Sequence, residues 1–221
     1  MGLVHCGSFT TTTGGTTSVD IGAASGTRLV IVAVSHAKSS GTGLSISSGT
    51  IDGIAATIAT QLANNTTTPA GSGILYAETT SGGPINVVVT LNSAAFVLKV
   101  NVYVIDDYTS ATPFSVASAH GNPASVSVNY DNGGIAIGAG ASTIQTITWT
   151  GLDTVDDTEG AGAPAGWGAA SSIALVAATG HTVTLTPSVA LDAALSVATW
   201  RATTVAPTPS TATAAASLPG F

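Results

Sequence analysis

Four carboxylates crowd into seven positions of this chain, Asp153, Asp156, Asp157 and Glu159. Oxygen-rich clusters of that kind are what hard cations such as calcium require. The spacing is not the alternating D-x-D-x-D-G of an EF-hand loop. The run is therefore read first as a solvated acidic loop following a strand, with a calcium site as the alternative. Two carboxyl groups at a set separation would also serve glycoside hydrolysis. Glu78 and Glu159 are the only glutamates, and so thin a supply of acids argues against such a cleft. His5, His36, His120 and His181 show no H-x-x-x-H or H-E-x-x-H spacing, and the His5-Cys6 pair is not a zinc signature. His181 shares the parity of Val183 and Leu185 and reads as a strand-end residue. No G-x-S-x-G nucleophile elbow occurs. Gly160, Gly162 and Ala165 match G-x-G-x-x-A, but Pro164 interrupts the run and the strand-to-helix setting of a dinucleotide loop is missing. No catalytic, cofactor-binding or metal-ligating residue is assigned, and the chain is read as a non-enzyme without a cofactor.

The aromatic residues offer a different chemistry. Trp149, Trp167 and Trp200, with Tyr76 and Tyr103, would make a sugar-stacking platform if they formed an exposed patch. In a β-protein with 5% aromatic residues they are expected in the core instead, where large rings contribute most.

The elements that must position these side chains are strands. Ile85, Val87, Val89 and Leu91 alternate with polar or smaller residues, and the pattern returns at Val183 and Leu185 among Thr182, Thr184 and Thr186. Leu98, Val100 and Tyr103 match Leu195, Val197 and Trp200 at one offset. Leu29, Ile31 and Ala33 match Ile135, Ile137 and Ala139, while Leu44 and Ile46 match Ile147 and Trp149. Ile74 and Thr80 are matched with Ile173 and Thr179, and Ser18 to Ile21 with Ser125 to Tyr130. Six segments thus recur in order, and two copies imply paired sheets or lobes rather than a solenoid. Asp52-Gly53, Ser81-Gly82-Gly83-Pro84, Asp131-Asn132-Gly133-Gly134 and Gly180 punctuate them as hairpin turns. The stretch Ile54 to Leu62 fits a short helix through Ile54, Ile58 and Leu62 as well as it fits a strand.

Composition narrows the function classes. Of 221 residues 44% are hydrophobic, enough for a sizeable core, yet only 7% are charged, against about 25% in ordinary soluble domains. Four Lys plus Arg at a net charge of −7 are too few to neutralise a phosphate backbone, so nucleic acid is not an expected partner. The segment Met1 to Cys6 lacks the basic and apolar regions of an export signal. The apolar run Leu29 to Val34 is far shorter than a membrane helix, and the aromatic content is low for the girdles of a membrane barrel. A membrane is therefore not expected either. One cysteine, Cys6, leaves no internal disulfide framework and fits synthesis in a reducing cytoplasm. Poverty of charge points to an exterior largely buried in an assembly, so a homo-oligomer is expected.

The organisation that follows is all-β: a jelly-roll-like sandwich, internally duplicated from a six-strand unit. Residues 1–110 form the first β unit, and 111–204 a second packed on it. Residues 205–221, uncharged and containing three prolines, form an extended Pro/Ala/Thr-rich tail, either a linker end or an arm with an apolar tip at Leu218 to Phe221.

The segments R-L-V-I-V-A-V-S at 28–35, G-I-L-Y-A-E-T-T-S-G-G at 73–83 followed by I-N-V-V-V-T-L, and T-I-T-W-T-G-L-D at 146–153 resemble a diffuse group of phage-encoded and bacterial β-sandwich proteins. The similarity covers most of residues 16–204. Thr50 to Gly53 departs from the Tyr-Gly-Gly turn usual in that group. The resemblance implies a virion structural protein on the outer surface of a tailed bacteriophage, assembled in the host cytoplasm, and it carries no catalytic residue across. The expected role is a capsid decoration, or cement, protein bound to the major capsid protein or other virion proteins, with a trimer as the expected oligomer. A tail or head-fibre component, or a carbohydrate-binding or adhesion module, is the alternative.

Overall fold

The computed structural model describes residues 2–38, 41–65, 70–142, 146–159, 166–173, 175–188 and 192–203. Among them the regular structure is entirely strand. The first part of the chain forms β1 (Leu3–Thr11), β2 (Thr16–Asp20), β3 (Arg28–Ala37), β4 (Ile46–Ile51), β5 (Ile54–Ala55), β6 (Thr57–Leu62), β7 (Ala70–Thr79), β8 (Pro84–Leu91) and β9 (Val97–Ile105). The second forms β10 (Ser115–Gly121), β11 (Ala124–Tyr130), β12 (Ile135–Ser142), β13 (Ile147–Thr150), β14 (Thr154–Glu159), β15 (Gly166–Ser172), β16 (Ala178–Pro187) and β17 (Ala193–Trp200). The segment open to a helical reading, Ile54 to Leu62, is β5 and β6, broken at Ala56 where the chain passes from one sheet to another.

The first unit pairs a five-stranded sheet, β1-β9-β3-β7-β6, with a four-stranded one, β2-β8-β4-β5. The second pairs β10-β17-β12-β15-β14 with β11-β16-β13. Matching β1 with β10, β2 with β11, β3 with β12, β4 with β13, β6 with β14, β7 with β15, β8 with β16 and β9 with β17 reproduces both sheets in strand order. Only β5 has no counterpart. Each unit is a jelly roll of two antiparallel sheets, nine strands in the first and eight in the second, so the repeat extends beyond the six segments visible as sequence. The two strand pairs missing from those six, β1 with β10 and β6 with β14, are sheet edges, and their partly exposed residues carry a weak hydrophobic pattern.

The two five-stranded sheets pack against each other, giving four layers and three cores. One core lies inside the first sandwich, with Val30, Val32 and Val34 facing Val87 and Val89. Another lies inside the second, around Trp149, Val183, Leu185 and Leu195. The third lies between the units, where Leu29, Ile31, Ile74, Tyr103 and Ile105 meet Ile135, Ile137, Ala169, Ala198 and Trp200. This double burial explains the texture of the sequence. β3 alternates between two cores and is apolar almost throughout, whereas β11, with one face in solvent, reads A-S-V-S-V-N-Y.

Two cross-layer contacts set the orientation of the units. Ser72 and Ser196 hydroxyls hydrogen-bond at 2.9 Å, and four residues further along each strand Tyr76 meets Trp200 edge-on at 6.3 Å. β7 and β17 therefore run in the same direction. β6 lies on the β10 side of the stack and β9 on the β14 side, so the units are related by a pseudo-twofold parallel to the strands. Corresponding turns of both units consequently lie at the same end.

The ladders also correct parts of the sequence matching. Tyr103 stands opposite Ile31, but Trp200 stands opposite Ile135 and Ala198 opposite Ile137. Matching Ile31 with Ile137 and Tyr103 with Trp200 therefore mixes two registers that differ by two residues. A two-residue slip keeps every side chain on its face, so periodicity alone does not detect it. Ile74 is likewise buried between the units, whereas Ile173 lies beyond the end of β15 and is 54% exposed.

The copies differ in how they fill their sandwiches. Trp149 lies over a floor of glycines. A Cβ on Gly138 would stand 2.8 Å from its ring, and one on Gly140 would stand 2.9 Å from the ring and 2.6 Å from Leu185. In the first unit β3 carries valines along its inner face, and the small residues are Gly49 and Gly73 on other strands, against Leu75 and Ile46. Large and small have changed places between the copies, as close packing of one framework by two sequences requires.

Candidate functional site

A row of buried charged and polar side chains runs along one seam between the units. β9 directs alternate residues Lys99, Asn101 and Tyr103 towards the second unit, where β14 supplies acids. Lys99 Nζ lies 3.4 Å from Asp157 Oδ2 with both side chains largely buried, and 5.7 Å from the centre of the Trp167 ring. The Tyr103 hydroxyl donates to Asp156 Oδ2 at 2.9 Å. Burial first, and then the neighbouring Asp156 charge, pushes the phenol well above its ordinary range, so it remains a donor. On the β1 side His5 Nε2 lies 3.2 Å from Asn101 Oδ1, which also accepts the Ser8 hydroxyl.

The acidic run is thus not a solvated loop. Asp156 and Asp157 belong to the edge strand β14 and are engaged across the interface between the units. Asp153 precedes the strand and is exposed, its amide donating to Ser172 Oγ at 2.7 Å. Glu159 ends β14 opposite Trp167, and its side chain lies outside the described residues. Among the described residues, no three of His, Cys, Asp and Glu are grouped so as to hold a metal ion. The pattern-level reading failed because the aspartates sit at a β-bulge, with the register shifting between Val155 and Asp157. A bulge breaks the alternation that would have marked a strand.

The other candidates are dispersed. Glu78 is exposed and accepts the Tyr108 hydroxyl at 2.6 Å. His36 is buried inside the first sandwich with neither ring nitrogen partnered among the described residues, and desolvation lowers its pKa to about 4. His120 Nδ1 lies 2.5 Å from Asn65 Nδ2. Cys6 is half-buried, and burial raises its thiol pKa. Trp149, Trp167 and Trp200 are all buried, and Trp200 Nε1 donates to Ala111 O at 2.9 Å, so they form core and not a sugar platform. Gly160 to Ala165 and the 205–221 tail lie outside the described residues. No helix among the described residues is long and apolar enough to cross a membrane.

One open site combines aromatic, titratable and exposed apolar groups. A groove of about 360 Å³ opens at one end of the second sandwich, between Tyr130, Gly151, His181 and residues 173 and 175–178. Tyr130 and His181 stack at 4.3 Å, and both hydrogen-bond Gly151 O at 3.0 Å, His181 through Nε2. Burial, with the Asp153 charge as the second cause, pushes the Tyr130 phenol up to about 12. On the lip, Ile173 is 54% and Val176 78% exposed, while Leu175 between them is buried and tied to the β12 turn by Gly133 N to Leu175 O at 2.7 Å. His181 was expected at a strand end; it lies within β16, on the core-side face next to Tyr130. The signal for the groove lip is the apolar run Ile173 to Ala178, which reads like a doubly buried strand although Ile173 and Val176 are exposed. The groove has an apolar rim and a rigid polar floor, a shape suited to holding an extended uncharged segment.

No family model matches the chain, and no curated protein or solved structure matches it.

Proposed function

We propose that this chain is a virion structural protein of a tailed bacteriophage, a capsid decoration or cement subunit carried on the outer surface of the particle. The observation that carries the reading is the chemistry of the two outer sheets. Across β13, β16 and β11 the exterior shows rows of hydroxyls: Thr150, Thr184 and Ser125 in one row, Thr148 and Thr186 in the next, with Ser127 beside Thr182. The outer sheet of the first unit shows Thr16, Ser18, Ser48, Thr50, Asn86 and Thr90. All four cations are engaged inside the chain: Arg28 with Asp106, Lys99 with Asp157, Arg201 with Asp131, and Lys38 with the Ser93 hydroxyl. Hydroxyl faces of this kind pack closely without burying unpaired charge, which is the chief desolvation cost of an interface.

The mechanism is burial of further interface across neighbouring capsomers. A ligand that binds only the assembled shell stabilises it by mass action. A trimer would match local threefold positions of a lattice. The reading is tested by quantitative mass spectrometry of purified particles, referenced to the major shell protein, with native mass spectrometry of the free protein for the oligomer. Hundreds of copies support decoration, a handful moves the protein to the tail or a fibre, and absence from particles removes the reading.

A further inference from the structure

The groove beside Tyr130 lies next to the place where the described chain leaves the second unit. Ala202 pairs with Tyr108 in an isolated bridge, and its Cβ lies 3.5 Å from where a Cβ on Gly133 would stand. Gly133 N in turn donates to Leu175 O, the anchored residue of the groove lip. Only this one turn separates the end of the described chain from the exposed Ile173 and Val176.

Eighteen residues follow, from Thr204 to Phe221. They carry no charge, contain three prolines, and include Leu218, Pro219, Gly220 and Phe221. Fully extended they span at most about 60 Å, many times the distance to the groove. Proline-rich segments lose little backbone entropy on docking in an extended form. The groove presents apolar side chains on its lip and polar hydrogen-bonding groups on its floor, with Asp153 as the one carboxylate of its described lining. An uncharged Pro/Ala/Thr segment with an apolar tip is complementary to that lining, and a basic one is not needed.

We infer that residues 204–221 fold back onto their own subunit and occupy the groove, covering Ile173 and Val176. A segment tethered this close acts at an effective concentration of about millimolar, well above that of a second copy in dilute solution. The inference does not rest on the virion reading and holds or fails in the isolated protein.

Hydrogen exchange on the full chain, on a chain ended at Thr203, and on full-length Val176→Asp tests it. Both variants should speed exchange in the 173–177 segment by about tenfold or more, with a matching gain in binding of an apolar fluorescent dye for the shortened chain. A synthetic 204–221 peptide at millimolar concentration should restore protection to the shortened chain. Equal exchange in all three proteins overturns the inference. Protection that weakens on dilution of the full chain overturns it as well, because a second copy would then be supplying the arm. Val176 is exposed, so its substitution keeps the test open should the shortened chain fail to fold.

Discussion

His36 should make this protein unusually sensitive to mild acid. The imidazole is 1% exposed, lies over Gly71 inside the first sandwich, and has no hydrogen-bond partner among the described residues. Desolvation is the cause that lowers its pKa from 6.5 to about 4. The unfolded chain therefore takes up a proton near pH 6.5 that the folded chain refuses until about pH 4. Between those values the unfolded state binds more protons, so stability is complete above 6.5 and falls as the pH drops. At about 1.4 kcal/mol per pH unit the whole window corresponds to about 3 kcal/mol, a large part of the ~5–15 kcal/mol that holds a typical domain together.

The perturbation is His36→Met, chosen because methionine is close in volume and adapts its shape to an irregular site. Urea unfolding of both proteins at pH 7.5, 6, 5 and 4 isolates the effect, since the carboxylates elsewhere contribute equally to each and cancel in the difference. The variant should be at least as stable as the parent at pH 7.5, where it removes two unsatisfied nitrogens. By pH 4 it should lead by about 3 kcal/mol more. Parallel stability curves would refute the reasoning, because His36 would then be titrating normally or would be partnered.

Other substitutions test the packing. Gly140→Val would drive methyl groups into Trp149 and Leu185 and should cost about 1–3 kcal/mol in urea unfolding, with Trp149→Leu in the same chain recovering part of the loss. Lys99→Met alone leaves Asp157 without its cation and should destabilise by about 3–5 kcal/mol at most, whereas Lys99→Met with Asp157→Leu should return close to the parent. Gly71→Ala drives a Cβ into the His36 ring and to 2.5 Å from the Leu62 carbonyl oxygen and should lower the melting temperature, and His36→Ala should recover only the part of the loss that the imidazole causes, the backbone contact remaining. If the two defects merely add, the predicted contact is wrong.

The sequence was most legible where one face of a strand meets solvent. β8 and β11 announce themselves by alternation, and each has a buried row and an exposed one. Strands buried on both faces were legible as apolar runs, but their registers were not, because the period of two tolerates the two-residue slip seen between Tyr103 and Trp200. Edge strands were nearly silent. The acidic run was the most conspicuous chemical feature and the most misleading, since charge in a short sequence window does not reveal a partner such as Lys99 lying 58 residues away along the chain. The groove was illegible for the opposite reason: its floor comes from three separate turns and strands, and only its lip is contiguous.

Edge strands normally resist pairing with other molecules by carrying lysine or proline. This chain has two lysines, neither of them free on an edge, and uses backbone irregularity instead. Bulges interrupt β1 between His5 and Gly7, β6 between Ile58 and Thr60, β14 between Val155 and Asp157, and β11 between Val128 and Tyr130. Both edges of the first large sheet and one edge of each sheet in the second unit are thereby twisted away from regular pairing. The outer face of the second unit, by contrast, carries its rows of hydroxyls, Thr150, Thr184 and Ser125 in one and Thr148 and Thr186 in the next, in a part of the ladder clear of the β11 bulge. A protein built this way discourages strand addition and leaves its faces open. Any assembly it joins should therefore be made face to face through Ser and Thr rows. Thr184→Lys, placed at the centre of one such face, should then abolish association while leaving unfolding unchanged, as expected for a surface substitution.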